Sequence, residues 1–236
     1  MKNQIIRLDK SAGAVQAEAY FRVMCGYGKN RKGIEERISR GLQTLTDIYE
    51  EINLQVLISE YSGQCVDGTE LCLDNERLYC RALSQIPSGK VTRLYLFLLT
   101  AGEISSRNTS ILNQTYYDIW QTAYVDTARD LLRQYLIKLD ENQGKYVSDS
   151  FGPGFYGMEA GQISKFFSLL KAEKIKMKLL ESGFMSPAKS YAGFFIVTDD
   201  VQLLPGKDCE CCMSSGRTCV YCKNGRENSY GIGGGL

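Results

Sequence analysis

Four cysteines near the end of the chain, Cys209, Cys212, Cys219 and Cys222, form C-x2-C-x6-C-x2-C, with Cys211 beside them. Two C-x-x-C pairs allow four thiolates to converge on one tetrahedral ion, and Ser214-Ser215-Gly216 between them provides a turn. Four sulfurs without a histidine favour zinc or an iron–sulfur centre over harder cations. The six-residue spacer is short for a zinc ribbon, so a reduced, metal-free cysteine tail is the open alternative. A second stretch, Gly152-Pro153-Gly154-Phe155-Tyr156-Gly157, is too rich in Gly and Pro for helix or regular strand. It precedes a helical pattern, with Ile163, Phe166, Phe167 and Leu170 at i, i+3, i+4 and i+7. A glycine loop feeding a helix N-terminus brings backbone N–H groups within reach of a ligand. The same pattern also describes a plain tight connection, and it is neither G-x-G-x-x-G nor a P-loop. A third candidate is Asp126 with Asp130, one helical turn apart, where two carboxylates serve as an acid–base couple or merely face water.

Composition narrows the chemistry. The chain has 236 residues, net charge +1, 44% hydrophobic and 23% charged residues, so it is long enough for a substantial core and has no global bias toward nucleic acid or anionic membrane. It has no histidine, which removes the usual general base, the commonest zinc ligand and any Ser-His or Cys-His pair. Nine cysteines, an odd number, and an N-terminus (MKNQIIRLDKSAGA) without an apolar signal region lead to the expectation of a cytoplasmic chain with reduced or metal-bound thiols. No apolar run approaches the roughly 18 residues of a spanning helix.

The elements that must hold these residues read as follows. Residues 14–25 suggest a short helix, and residues 32–53 an amphipathic one with Ile34, Ile38, Leu42, Leu45, Ile48 and Ile52 at threes and fours. Residues 55–61 read as a strand with Val56, Ile58 and Glu60 on one face, and Glu70–Leu73 as the strand that completes a hairpin with it. Asp74 is placed to cap a helix reaching Ile86. Val91–Thr100 is apolar on both faces in its second part and belongs in the middle of a sheet. A long helix spans 111–139, with Leu112, Tyr116, Ile119, Trp120, Ala123, Thr127, Leu131 and Tyr135 near one stripe. Ile175, Met177 and Leu179 alternate with Lys174, Lys176 and Lys178, the period of a strand with one wet face. Ala192–Val197 is the best buried-strand candidate. The order of elements is not βαβ, which disfavours a Rossmann-type methyltransferase.

The C-terminal part resembles the activation domain of cobalamin-dependent methionine synthase, above all its small stand-alone forms. In that family a segment R-x-x-P-G-Y opens a helix, and L-T-E-S, a Met-x-P turn and a K-S-V-S-G strand follow. The matching residues are Pro153-Gly154-Phe155, Leu179-Leu180-Glu181-Ser182, Met185-Ser186-Pro187 and Lys189-Ser190-Tyr191-Ala192-Gly193. Weaker likenesses, Met24-Cys25-Gly26-Tyr27 and Thr100-Ala101-Gly102, extend the match to residues 14–222. The resemblance implies an α+β fold: a mixed or antiparallel twisted sheet flanked by long helices, one domain over residues 1–204 and a Cys-rich, Gly-ended tail over 205–236. It implies a module with no catalytic residue of its own that reactivates a corrinoid methyltransferase, as part of a methionine synthase-type activity. S-adenosylmethionine would bind at Asp130, Gly152, Pro153, Gly154, Phe155 and Tyr156. The partner would be a corrinoid-binding methyltransferase or a short-form methionine synthase carrying the cobalamin, with a separate electron donor. The alternative is a docking or electron-relay factor that uses the cysteine-ligated metal and no longer binds S-adenosylmethionine. Three departures stand out: Ser150 where the family has its loop arginine, Phe155 for its tyrosine, and Leu203-Leu204 for the tyrosine pair after the last strand.

Overall fold

The two apolar runs Val91–Thr100 and Ser190–Thr198 lie side by side at the centre of the molecule, because each is apolar on both faces and must be covered twice. The computed structural model describes residues 1–26, 33–105 and 109–204. Its strands are β1 (Gln4–Arg7), β2 (Gln55–Ser62), β3 (Val66–Asp67), β4 (Glu70–Leu73), β5 (Glu76–Tyr79), β6 (Val91–Thr100), β7 (Tyr146–Val147), β8 (Lys178–Leu179), β9 (Met185–Ser186) and β10 (Ser190–Thr198). The helices are α1 (Ala14–Met24), α2 (Ile34–Gln43), α3 (Leu45–Ile48), α4 (Ile111–Ile137) and α5 (Ile163–Leu169). A five-stranded antiparallel sheet has the order β1-β2-β6-β10-β7; β3-β4-β5 form a small second sheet and β8-β9 a short hairpin. The fold is α+β. Among the described residues no helix is long and apolar enough to cross a membrane.

The pleat sorts the two cores. Val56, Ile58, Tyr95, Phe97, Leu99, Phe195 and Val197 face one side, where α1 and α4 cover them with Phe21, Trp120, Tyr124 and Leu132. Leu57, Leu94, Leu96, Leu98, Phe194 and Ile196 face the other, under the β3-β4-β5 sheet and α5. The Phe21 and Trp120 rings stack at 4.0 Å, and the Trp120 indole N–H donates to the Gly41 carbonyl at 3.0 Å, so Trp120 is hydrogen-bonded as well as packed.

Several local expectations change. The amphipathic stretch 32–53 is not one helix: α2 ends before Thr44, whose N–H and hydroxyl both donate to the Gly41 carbonyl, at 3.1 and 2.7 Å. Those bonds and the Trp120 bond occupy the acceptor that the next helical turn would use. Asp74 caps no helix. Leu73 pairs with Glu76 across a two-residue turn in which Asp74 takes φ +47°, a hairpin arrangement that Asp tolerates. Residues 76–79 are therefore strand, and β4 pairs with β3 and β5 rather than with β2. Their reward is one shared buried face, with Val66, Leu71, Leu73 and Leu78 under the main sheet. In the lysine-rich segment the alternation of burial is real: Ile175 and Met177 are buried while Lys174, Lys176 and Lys178 are exposed. Its backbone is mostly not strand; a 3₁₀ turn over Ala172–Ile175 and a left-handed Lys176 (φ +56°) produce the same in-out pattern.

Candidate functional site

Helix α4 and strand β10 run past one another on the first face of the sheet, and the loop after β7 closes on both. The loop is tied to β10 as an extra strand turn: Phe151 N–H donates to Phe194 O at 2.9 Å, and Phe194 N–H donates back to Phe151 O at 2.8 Å. That approach explains Gly152. A Cβ there would stand 2.3 Å from the Ala192 carbonyl oxygen, a backbone atom that cannot step aside. Gly193 answers it across the pair, with the Phe151 carbonyl 2.6 Å from where its Cβ would be. Both glycines thus serve backbone packing.

Beyond Gly152 the loop turns on itself. Phe155 N–H donates to Gly152 O at 3.0 Å and Gly154 N–H to Met158 O at 2.9 Å, so these two amides are bonded within the loop. The loop does not run straight into a helix: Ala160–Gln162 form a 3₁₀ turn first, and α5 is only seven residues long. With a 3₁₀ turn between loop and helix, and a helix of only seven residues, little helix dipole stands behind the glycine loop. What the loop does is split two aromatic rings. Tyr156, in a left-handed conformation (φ +53°), sets its ring edge-on to Phe151 at 5.3 Å and packs against the second core. Phe155 goes the other way, 39% exposed, and stacks on Tyr191 with centroids 6.0 Å apart.

Tyr191 is the hub. Its ring also stacks on the buried Phe97 at 5.9 Å, and the Arg129 guanidinium carbon lies 5.7 Å from its centroid. Ser150 and Arg129 lie beside its hydroxyl. Burial pushes the Tyr191 pKa up, against the downward pull of Arg129 and Ser150, so the phenol stays protonated at neutral pH.

Arg129 is gripped from its own helix. Its Nη1 lies 3.3 Å from Asp126 Oδ1 and its Nε 3.8 Å from Asp130 Oδ1. Burial works against its charge, but Asp126, Tyr191 and Asp130 outweigh that and raise its pKa. Asp130 in turn accepts a 2.5 Å hydrogen bond from the Tyr20 hydroxyl of α1, which fixes its Oδ2. Burial first and Asp130 second drive the Tyr20 pKa up, so this hydroxyl remains the donor. The assembled cluster holds one guanidinium and two carboxylates, a net charge of about −1, bordered by the faces of Tyr191 and Phe155. Such a site favours a cation against its acidic edge and an aromatic face against an onium or a flat ring.

The structure brings Asp130, Gly152 and Phe155 to one place, linked through Arg129 and Tyr191. Pro153 and Gly154 sit at the loop tip, and Tyr156 is turned toward the opposite core. Arg129 and Tyr191 were not picked out from the sequence as site residues. The available signal was D-x-x-R-D over Asp126–Asp130, which puts a cation within reach of two acids on one helix. Nothing local marks Tyr191, because its role depends on the strand lying beside α4. Cys209, Cys212, Cys219 and Cys222 lie outside the described residues. Among the described residues no group of three or more His, Cys, Asp or Glu is arranged to hold a metal ion.

Scans of protein-family models and of curated proteins find no match. Among solved structures the chain is similar to the crystal structure of the MetH reactivation domain bound to AdoHcy. The TM-score is 0.53 at 14% identity, over 84% of this chain and 78% of that one. At that identity the likeness is one of fold.

Proposed function

We propose that this chain is a reactivation or accessory module for a corrinoid-dependent methyltransferase, and that it binds S-adenosylmethionine at the junction of α4, β10 and the 150–157 loop. The observation that carries the reading is the convergence of Phe155, Tyr191, Arg129 and Asp130 on a fold shared with a domain whose crystal structure holds AdoHcy. Phe155 and Tyr191 offer ring faces to the sulfonium or the adenine. The net negative cluster on α4 favours the positively charged ligand over its neutral demethylated product. Gly152, Pro153 and Gly154 fix where Phe155 stands, and Tyr156 anchors the loop to the second core, so both act on the ligand by position.

The chain needs no catalytic residue of its own for this role. A docked corrinoid supplies the chemistry: an electron from a separate donor and a methyl group from S-adenosylmethionine restore the methylated cofactor, leaving S-adenosylhomocysteine. The protein holds the methyl donor at a fixed place and keeps it there while the partner docks over the exposed Phe155 edge. A histidine-free chain fits that division of labour.

Titration calorimetry of the full chain with S-adenosylmethionine tests the reading. Saturable binding at about −8 to −5 kcal/mol, micromolar to sub-millimolar, is the expected result. Absence of heat, with no shift in unfolding temperature at millimolar ligand, rejects it. A second test adds the chain, a reductant and S-adenosylmethionine to an oxidised short-form methionine synthase and follows the corrinoid absorbance for return of the methylated form.

A further inference from the structure

Arg129, Asp126 and Asp130 together have the chemistry of a receptor for an α-amino-acid head. A zwitterionic head presents a carboxylate and an ammonium about one side-chain width apart, and a guanidinium beside a carboxylate is its complement. The two acids of the cluster differ in what they have left to offer. Asp126 is the more enclosed, 14% exposed, and makes the shorter contact to Arg129 at 3.3 Å. Asp130 is 38% exposed; its Oδ2 takes the Tyr20 hydroxyl, while its Oδ1 stands 3.8 Å from Arg129 Nε, longer than a hydrogen bond. Asp126 thus positions the guanidinium, and Asp130, the more exposed acid, holds Oδ1 beyond hydrogen-bond reach of it.

Arg129 is also aimed. Four groups from three separate elements meet at it: the two acids of α4, the Tyr191 ring of β10, and through Tyr191 the Ser150 and Phe155 end of the loop. An arginine that only solvated the helix would extend into water along α4. This one is 26% exposed and lies over a tyrosine that stacks on the exposed Phe155 ring and on the buried Phe97. A planar guanidinium lying 5.7 Å over an aromatic face is a group that can receive a carboxylate in two parallel hydrogen bonds.

We infer that Arg129 takes the carboxylate, and Asp130 the ammonium, of the amino-acid head of the ligand bound at this site. The inference rests on the proposed ligand reading and adds to it the residues that recognise the head and the class of ligand they select. S-adenosyl compounds with an intact amino-acid end are favoured, and nucleoside thioethers without one are not. Tyr20 is a positioning residue, since it reaches the ligand only through Asp130.

Calorimetry on the full chain with three probes tests this: S-adenosylmethionine, S-adenosylhomocysteine and 5′-methylthioadenosine, which keeps the nucleoside and lacks the head. Arg129→Gln is expected to weaken the first two by about 10- to 100-fold, the loss for one charge-assisted contact, and to leave 5′-methylthioadenosine unchanged. Asp130→Asn is expected to follow the same pattern with a smaller loss. Arg129→Lys, which keeps the charge near Asp126, covers the case in which the glutamine variant does not fold, and is expected to fall between wild type and Arg129→Gln. Equal loss for all three probes, or no loss for any, overturns the inference and leaves the proposed function standing. A wild-type chain that binds none of the three overturns both.

Discussion

The two faces of the central sheet are built from the same alternating strands, yet the Arg129–Tyr191 cluster lies at the edge of one of them. Under the β3-β4-β5 sheet and α5 the buried side chains are aliphatic, sulfur-bearing or phenylalanine, from Leu57, Leu94, Leu96 and Leu98 to Met158, Met177, Phe166 and Phe194, with no Tyr or Trp among them. Under α1 and α4 the core is aromatic: Phe21, Trp120, Tyr124, Tyr95 and Phe97 fill it. Aromatic rings with polar ends need partners, and hydroxyls toward the rim find them in Asp47 for Tyr117 and in Asp130 for Tyr20. The polar cluster around Arg129 grows at this rim, where a helix longer than the sheet is wide passes the start of β10. The second face is dry, with no polar-ended ring among its buried residues; the first is packed in the middle and carries the charged cluster at its edge.

The sharpest way to break that distinction is to cut into the dry face. Leu96→Ala, fully buried in the second core, is expected to cost about 2–5 kcal/mol in urea unfolding, through lost transfer energy and a cavity. The folded fraction should bind ligand as wild type does; a Kd change larger than the change in folded fraction would show that the faces are coupled. Next in size is Gly152→Ala. Its Cβ would meet the Ala192 carbonyl at 2.3 Å, so loop and strand must separate at an expected cost of about 1–3 kcal/mol, and Phe155 must move with the loop. Loss of stability without loss of affinity would remove the loop from the site.

Smaller effects on folding, but larger ones on binding, are expected at the rim. Phe155→Ala removes a 39% exposed ring, and Asp130→Ala removes the carboxylate that accepts from the Tyr20 hydroxyl. Each should cost about 1 kcal/mol of stability or less, and each should weaken S-adenosylmethionine about tenfold by calorimetry. Unchanged affinity in both variants excludes these residues from the site. The smallest effect at neutral pH is a titration. Burial pushes Cys25 and Cys65 up to about 11 from 9.0, and Tyr61, Tyr95 and Tyr124 up to about 12 from 10.0. The folded state therefore holds these protons more tightly than the unfolded state. The sign follows: their stabilising effect is complete below about pH 9 and is lost as pH rises from there toward 12. Unfolding midpoints should be flat from pH 7 to 9 and fall beyond it, and Tyr95→Phe should flatten part of that fall.

Much of this was legible in the residues. Val91–Thr100 and Ala192–Val197 are apolar on both faces and could only be central; the heptad-like spacing from Ile111 onward could only be a long helix. The burial rhythm of Ile175 and Met177 was right even where the backbone was not strand, since side-chain direction is what the sequence encodes most directly. Asp130 was legible from the residues only as half of a carboxylate pair with Asp126; its place at a ligand, and that of Phe155 after Pro-Gly, is implied by the family resemblance.

What only the tertiary structure decided has one physical cause: each decision depends on a partner far along the chain. Asp74 looks like a helix cap until Leu71 and Leu78 find the underside of the main sheet and make 76–79 a strand. Residues 32–53 look like one helix until Trp120, from α4, takes the Gly41 carbonyl. Gly152 looks like a ligand cradle until Ala192 of β10 presses against it. Arg129 and Tyr191 are unremarkable in sequence, 62 positions apart by number, and meet because an antiparallel sheet brings β10 under α4. Local pattern determined that β6 and β10 are central and α4 is long; the meeting of distant elements determined where a cation, two acids and two rings share one rim.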